Sequence, residues 1–154
     1  MITSNSFQAI DGVEIAWRET GQGRPLLLIH GFMSEAETNW IKYGHAAALA
    51  NAGYRVIMPD LRAHGLSAKP HDPEAYHPTS MAGDAAALLT HLGIAEAHVM
   101  GYSMGARISA FLAIERFQRT LRGVHQGLGM GQAAVVGVQR VPFAGQGGEL
   151  LDLA

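Results

Sequence analysis

The chain contains Gly101-Tyr102-Ser103-Met104-Gly105 near its middle, and this pentapeptide matches the pattern G-x-S-x-G. It directly follows a predicted strand, Ala97 to Met100, and directly precedes a predicted helix, Ala106 to Phe117. Glycines at this spacing let the backbone turn sharply and lift the serine Oγ clear of the sheet edge. The context is typical of a nucleophile on a strand-to-helix turn. The alternative is a glycine-rich turn that carries an ordinary serine.

Upstream of this turn the sequence predicts more strands. The alternating segment from Phe7 to Trp17 predicts a β-hairpin, with a two-residue type I′ turn at Asp11-Gly12. Unbroken apolar runs predict strands buried on both faces at Leu26 to Ile29 and at Arg55 to Met58.

Helices are predicted between these strands. An alanine-rich segment from Trp40 to Asn51 is typical of one helix, and Ser80 is a plausible N-cap for the next. The second helix would bury residues at helical spacing, namely Met81, Ala85, Leu88 and Leu92. The alternation predicts an α/β fold, in which an N-terminal β-hairpin is followed by a mostly parallel sheet with flanking helices.

Composition excludes several classes of protein. A net charge of −2 over 154 residues offers no basic field for nucleic acid, and no apolar run approaches the length of a membrane span. The absence of cysteine excludes disulfides, thiolate zinc sites and a cysteine nucleophile. Residues 1–10 have no features of a signal peptide, so we expect a cytoplasmic protein without metal or cofactor.

Three blocks of the sequence together resemble the α/β-hydrolase superfamily, over about residues 7–125. The blocks are Leu27 to Phe32, which contains His30-Gly31-Phe32, then Val56 to Ser67, and then His98 to Gly105. The resemblance implies that Ser103 is the nucleophile and that the backbone N–H groups of Phe32 and Met104 form the oxyanion hole. It also implies a small ester or related acyl substrate.

No residue of the sequence matches the other two roles of a catalytic triad, the acid and the histidine base. In this family an acid and then a histidine follow the serine, but the acids after Ser103 (Glu115, Glu149 and Asp152) and the histidine His125 match neither position. Among the earlier histidines, His64 and His77 lie in loops that could approach the site, although the family order disfavours both. His30 taken singly is more typical of a hydrogen-bonded structural histidine, and a loop-fixing salt bridge is the preferred interpretation of Asp60 and Arg62.

The sequence therefore predicts an incomplete α/β-hydrolase fold. Residues 1–125 would be the N-terminal part of the core and 126–154 a tail of uncertain structure, since eight glycines lie between Gly123 and Gly148. We expect an exposed sheet edge near Leu121 to Val124, through which the chain would self-associate, recruit a partner or aggregate. Weak activity or none is expected of this chain alone.

Alternatives remain open. The strand-to-helix turn at residues 101–105, called the elbow below, carries Ser103 and not an aspartate, which disfavours a haloalkane dehalogenase or an epoxide hydrolase. Carbon–carbon bond hydrolases and cofactor-free haloperoxidases of the superfamily also use serine, so both stay open. A degenerate hydrolase that binds a ligand or a partner is a second hypothesis. A third is dinucleotide binding, because residues 129–134 fit G-x-G-x-x-A with Glu149 placed 20 residues after Gly129, but too few residues follow to complete that fold.

Overall fold

The computed structural model describes residues 1–77, 79–117 and 139–142. Its sheet has six strands: β1 (Thr3–Gln8), β2 (Glu14–Thr20), β3 (Arg24–Ile29), β4 (Tyr54–Pro59), β5 (Glu96–Gly101) and β6 (Gln139–Pro142). The helices are α1 (His45–Asn51), α2 (Ser80–His91) and α3 (Met104–Phe117). The strands lie in the order β1-β2-β4-β3-β5-β6.

The sheet is mixed, and parallel pairing is confined to its centre. Strand β3 pairs in parallel with both β4 and β5. The hairpin joins the sheet through an antiparallel contact between β2 and β4, and β6 pairs antiparallel to the outer edge of β5. The expectation of a mostly parallel sheet therefore holds for the three strands that end at the candidate site and not for the flanking strands.

Two apolar cores lie on opposite faces of the sheet, because successive residues of a strand point to opposite sides. Leu27 and Ile29 of β3 belong to the core covered by α2 and α3. Leu26 and Leu28 belong to the core on the side of α1, where Trp40 is also buried. Both faces of β3 are thus covered, which explains its unbroken apolar sequence.

Several local predictions are wrong in detail. The hairpin loop has three residues: the Gly12 N–H bonds to Ala9 O and Gly12 alone adopts a positive φ of 80°, so there is no type I′ turn. The helix predicted from Trp40 is two elements, a π-helical turn at Glu37–Ile41 and α1, separated at Gly44, whose φ is 80°. Thr79 occupies the N-cap position of α2 without a side-chain capping hydrogen bond, and Ser80 is the first residue of the helix.

The predicted strand at Leu121 to Val124 lies outside the described residues, as do His125 and the motif at 129–134. Self-association through that edge stays a prediction. From the predicted tail, Gln139–Pro142 joins the sheet as β6 and covers the edge of β5. In the described part of the chain, none of the helices has the length and apolarity that crossing a membrane requires.

Candidate active site

The segment between β5 and α3 is a tight strand-to-helix turn, as predicted. Strand β5 ends at Gly101 and α3 begins at Met104, so only two residues make the turn. The Tyr102 N–H donates to Ile29 O at 3.0 Å, which ties the turn to β3. Ser103 has a φ of 53°, in the left-handed region that L-residues other than glycine rarely adopt, and its side chain is exposed.

The two glycines of the motif serve close packing, and the positive φ falls on Ser103 itself. A Cβ on Gly105 would overlap the Ile29 carbonyl oxygen, and a Cβ on Gly101 would overlap the backbone of Gly105. The first turn of α3 therefore lies directly against the ends of β3 and β5. The Met104 N–H, for which no acceptor is recorded among the described residues, and the positive dipole end of that turn lie beside Ser103.

The loop after β3 contacts this turn through Gly31. A Cβ on Gly31 would lie 2.9 Å from Tyr102 Cδ1 and 3.3 Å from Ser103 Cβ, closer than ordinary packing allows. The side chain of Phe32, the next residue, is 66% exposed. The residue that precedes Phe32 thus lies against the turn at Ser103, which leaves no room for a side chain at position 31.

Two backbone amides at this junction are free to bind a ligand. Within the described residues, no acceptor is recorded for the N–H of Phe32 or of Met104. Two donors without a recorded acceptor, on the two loops that meet at Gly31 and Ser103, are consistent with an oxyanion hole. That the two amides converge on one point stays a prediction.

His30 is a buried structural residue with a fixed tautomer. Its Nδ1 lies 2.8 Å from Gly31 O, and its Nε2 accepts the Leu61 N–H at 2.9 Å. Because Nε2 accepts, the proton is on Nδ1 and the ring is neutral. Burial lowers the pKa of His30, and the neighbouring His64 adds to the effect. Both ring nitrogens are engaged, so His30 has none left to act as a base.

His64 lies close to the loop after β3, whereas His77 does not. The His64 ring is 5.2 Å from that of His30 and 5.9 Å from that of Phe32, measured between centroids. Its Nδ1 lies 2.9 Å from Arg62 O, so Nδ1 carries the proton and Nε2 is the basic atom. His77 is exposed and bonds to Thr79. Neither forms a recorded hydrogen bond with Ser103, whose Oγ has no partner in the described part of the chain.

The candidate acids and base that follow Ser103 in the sequence lie on α3 or outside the described residues. Glu115 lies on the α3 backbone, and His125, Glu149 and Asp152 fall outside the described residues. No group of three residues suited to a metal ion occurs among the residues that the structure describes.

Asp60 connects the loops after β3 and β4. The carboxylate is fully buried and accepts the Ala36 N–H at 2.8 Å and the Leu66 N–H at 2.9 Å. Its ion-pair partner is Arg18 on β2, at 3.3 Å. The predicted loop-fixing role fits these contacts, but the pairing of Asp60 with Arg62 is wrong.

Arg62 forms its own buried ion pair. Its guanidinium binds Asp84 of α2 in a bidentate manner, at 2.6 and 2.7 Å, and Asp11 of the hairpin loop at 2.9 Å. It also donates to the Ala75 carbonyl. The hydrogen bonds that Arg62 donates to Asp84 and Asp11 raise its pKa despite burial, so it is charged at any working pH.

Sequence reasoning missed three of these partners. The sequence did contain a signal that Asp84 has a buried partner. Asp84 is a lone acid three residues after Met81, on the face of α2 that was predicted to be buried. Arg18 and Asn39, which accepts a hydrogen bond from Gly31, carried none, since their contacts depend on how distant segments meet.

A mostly apolar cavity of about 370 Å³ opens beside the turn, between α1 and the end of β5. Its lining residues are Trp40, His45, Ala48, Leu49, Met100, Gly101 and Tyr102. It offers apolar walls next to the residue that precedes Ser103.

Comparisons with known proteins agree on the family. The model of a family described as "alpha/beta hydrolase fold" matches residues 24–147. An epoxide hydrolase of Caballeronia sordidicola is 37% identical over 98 residues, which are 64% of this chain and 29% of that protein. A non-heme haloperoxidase of Rhodococcus erythropolis is 38% identical over 100 residues, 63% of this chain and 34% of that protein.

Solved structures give the same result. The epoxide hydrolase VrEH1 of Vigna radiata superposes with a TM-score of 0.69 at 28% identity, covering 75% of this chain and 35% of the other. An epoxide hydrolase from an endophytic Streptomyces gives 0.68 at 33% identity, with 75% and 34% covered. The chain thus spans about a third of the length of the relatives it matches, and the predicted, partly covered α/β-hydrolase fold is confirmed.

Proposed function

This chain belongs to the α/β hydrolase fold family, and we propose that Ser103 is the nucleophile of a serine hydrolase site for a small ester or related acyl substrate. The amides of Phe32 and Met104 would bind the negatively charged oxygen of the tetrahedral intermediate. This assignment concerns the site in this chain. That a longer protein containing the site has hydrolase activity is also part of the proposal.

The observation that carries the proposal is the backbone of Ser103. A φ of 53° at a non-glycine residue costs about 1–3 kcal/mol and persists only where the surroundings impose it. Here the surroundings are the close contacts of Gly31 and Gly105 with neighbouring backbone and side chains. We propose that this strain holds the exposed hydroxyl near the Phe32 and Met104 N–H groups, for which no acceptor is recorded among the described residues, as an oxyanion hole requires.

The identity of the nucleophile favours acyl chemistry over epoxide opening, although several relatives are named epoxide hydrolases. Attack of a serine oxygen on an epoxide carbon would leave an ether, which water does not readily cleave. Attack on an acyl carbon leaves an ester, which water can hydrolyse with help from a base. A relative named as a haloperoxidase keeps other serine-based chemistry within the proposal.

Activation of Ser103 is incomplete in the described part of the chain, because no base is recorded in contact with its Oγ. Oxyanion stabilisation and binding without a triad member leave about 10³–10⁴-fold acceleration over water. We therefore expect this chain alone to hydrolyse an activated ester very slowly, with Ser103→Ala changing the rate little.

A fluorophosphonate probe with peptide mapping tests the assignment, since it reports on one serine among the seven in the chain. We expect slow labelling that is confined to Ser103, is lost in Ser103→Ala and is retained in Ser109→Ala. Labelling spread over several serines, or no faster than in the urea-denatured chain, would show that Ser103 is not activated by its surroundings.

That second outcome favours the other candidate function, a non-catalytic hydrolase fold that binds a ligand or a partner. The observation behind it is the Ser103 Oγ without a hydrogen-bond partner in the described residues. A rate near that of an ordinary esterase, abolished by Ser103→Ala, would instead reveal a base that the described residues do not contain.

A further inference from the structure

We propose that Asn39 is a positioning residue which, together with His30, aims the Phe32 amide towards Ser103. The inference rests on the proposed oxyanion role of Phe32 and names a residue that this role depends on. It starts from the two peptide groups on either side of Gly31.

Both polar groups of Gly31 are held by side chains. The N–H donates to Asn39 Oδ1 at 2.9 Å, and the carbonyl oxygen accepts the His30 Nδ1–H at 2.8 Å. The first bond orients the peptide plane between His30 and Gly31. The second orients the plane between Gly31 and Phe32.

Orientation of that second plane determines where the Phe32 N–H points. In a trans peptide the C=O and the N–H lie in one plane and point in opposite directions. With Gly31 O directed at the His30 ring, the Phe32 N–H is directed away from that ring. His30 thus sets the direction of a donor that it does not contact, and Asn39 fixes the peptide plane on the other side of Gly31.

Gly31 requires this support because it is a glycine. A Cβ at this position would meet Tyr102 and Ser103, so no larger residue fits without movement. Glycine, however, has access to far more backbone conformations than other residues, and its flanking peptides can rotate unless hydrogen bonds hold them. The same contact that excludes a side chain therefore creates a need for external restraint.

Asn39 is itself well anchored. It lies in the π-helical turn Glu37–Ile41, and its backbone N–H donates to Glu35 O at 2.9 Å. The next residue, Trp40, is buried in the core beside α1, which fixes the turn against the sheet. The Asn39 side chain therefore projects from a rigid element, and only its oxygen can accept the Gly31 N–H.

The test compares three variants of the full chain. Asn39→Leu removes the acceptor at similar volume, Asn39→Asp keeps an oxygen in its place, and Asn51→Leu makes the same change at an exposed residue of α1. One measurement is the maximal rate of Ser103 labelling by a fluorophosphonate, separated from probe affinity by varying its concentration. The other is the ¹H–¹⁵N resonance of the Phe32 amide.

We expect Asn39→Leu to lower the maximal labelling rate about tenfold, less than the 10²–10³-fold typical of losing an oxyanion donor, because the amide is misdirected and not removed. Its Phe32 resonance should shift or broaden. Asn39→Asp should label within about twofold of the wild type, and Asn51→Leu should be unchanged, since simple stability loss would not follow this pattern.

Failure of the inference is distinguishable from failure of the proposed function. If the wild type labels at Ser103 and Asn39→Leu reaches the same maximal rate, the positioning role is wrong. If the wild type does not label, the nucleophile assignment has failed, and the Phe32 resonance then decides the positioning role. A resonance that changes in Asn39→Leu but not in Asn39→Asp supports that role, and a resonance that is unchanged in Asn39→Leu overturns it. Asn39→Ala replaces Asn39→Leu should the latter not fold.

Discussion

The loop after β3, residues 30–36, and the loop after β4, residues 60–68, follow neighbouring parallel strands but are restrained in different ways. In the loop after β4, backbone groups bond to one another, as Ala63 does to Ala68, and two charged side chains, Asp60 and Arg62, are buried within it. In the loop after β3, the His30 ring bonds to the Gly31 carbonyl, and the other side-chain restraints come from outside, through Asn39 and Asp60.

The difference has a functional meaning. Backbone groups that bond to one another are not available to a ligand, whereas a loop held mainly by side chains can keep an amide free. No acceptor is recorded for the Phe32 N–H among the described residues, and Asp60 joins the loop after β3 to the loop after β4. We therefore propose that the loop after β4 supplies rigidity and the loop after β3 the binding capacity.

The largest expected effect comes from breaking the charged centre of the loop after β4. Arg62→Met leaves Asp84 buried without its partner, and we expect a loss of about 3–5 kcal/mol in the free energy of unfolding, measured in urea. The control is Arg55→Met, whose pair with Glu19 is part-exposed and should contribute under about 1 kcal/mol. Equal losses would mean that burial of the Arg62 pair has no special effect.

Asp60→Asn should disturb both loops at once. The amide keeps one acceptor oxygen but places an NH₂ group against N–H donors, so we expect a loss of about 1–3 kcal/mol and faster hydrogen exchange at the Ala36 and Leu66 amides. Asp72→Asn is the matched control, because Asp72 caps an exposed turn where asparagine serves equally well. Faster exchange at Leu66 alone would show that the loops are not coupled through Asp60.

His30 should make the loop after β3 sensitive to pH. Its pKa is lower in the folded than in the unfolded chain, through burial and nearby His64, against the opposing charges of Asp60 and Glu35. The folded state therefore binds fewer protons, and stability should fall as the pH drops below about 6.5, by at most about 1.4 kcal/mol per pH unit.

Urea titrations between pH 5 and 8 would measure this slope. His30→Gln, which retains an acceptor for Leu61 without a titrating ring, should flatten it, whereas His71→Gln at an exposed site should not. A slope that is the same in all three proteins would assign the pH dependence to other groups.

The smallest expected effect concerns the elbow itself, which belongs to neither loop. Ser103→Gly should raise stability by about 0.5–1 kcal/mol, because relief of a positive φ outweighs the entropy that glycine gains in the unfolded chain. Ser109→Gly, in the middle of α3, should lower stability by about 1 kcal/mol. A destabilised Ser103→Gly, measured by urea denaturation, would show that the backbone at Ser103 is not strained.

Sequence alone located the elements whose signal is local. The apolar runs of β3 and β4 were predicted to within two residues at either end, because burial on both faces leaves no other pattern. The turn at Ser103 was predicted from its motif and flanks. The single helix from Trp40 was wrong because Gly44 adopts a φ of 80° and interrupts it, which composition does not reveal.

Contacts between distant segments could not be predicted in the same way. Asp60 and Arg62 were recognised as ionic, but their partners lie 42 residues away at Arg18 and 22 residues away at Asp84. Which charge meets which depends on the strand order and on the placement of α2 over the sheet. The hydrogen bond between Asn39 and Gly31 likewise depends on the π-helical turn, for which no sequence pattern was available.

The strand order has a consequence for how the chain assembles. Strand β3 is synthesised before both of its neighbours, because β4 and β5 follow it in the sequence and β2 pairs with β4 instead. During translation its apolar run, Leu26 to Ile29, stays without a pairing partner until at least Pro59 has left the ribosome. Non-local, parallel pairing of this kind slows folding and prolongs the exposure of an aggregation-prone apolar segment. Exposure of this apolar run should therefore be greatest in nascent chains that end between β3 and β4.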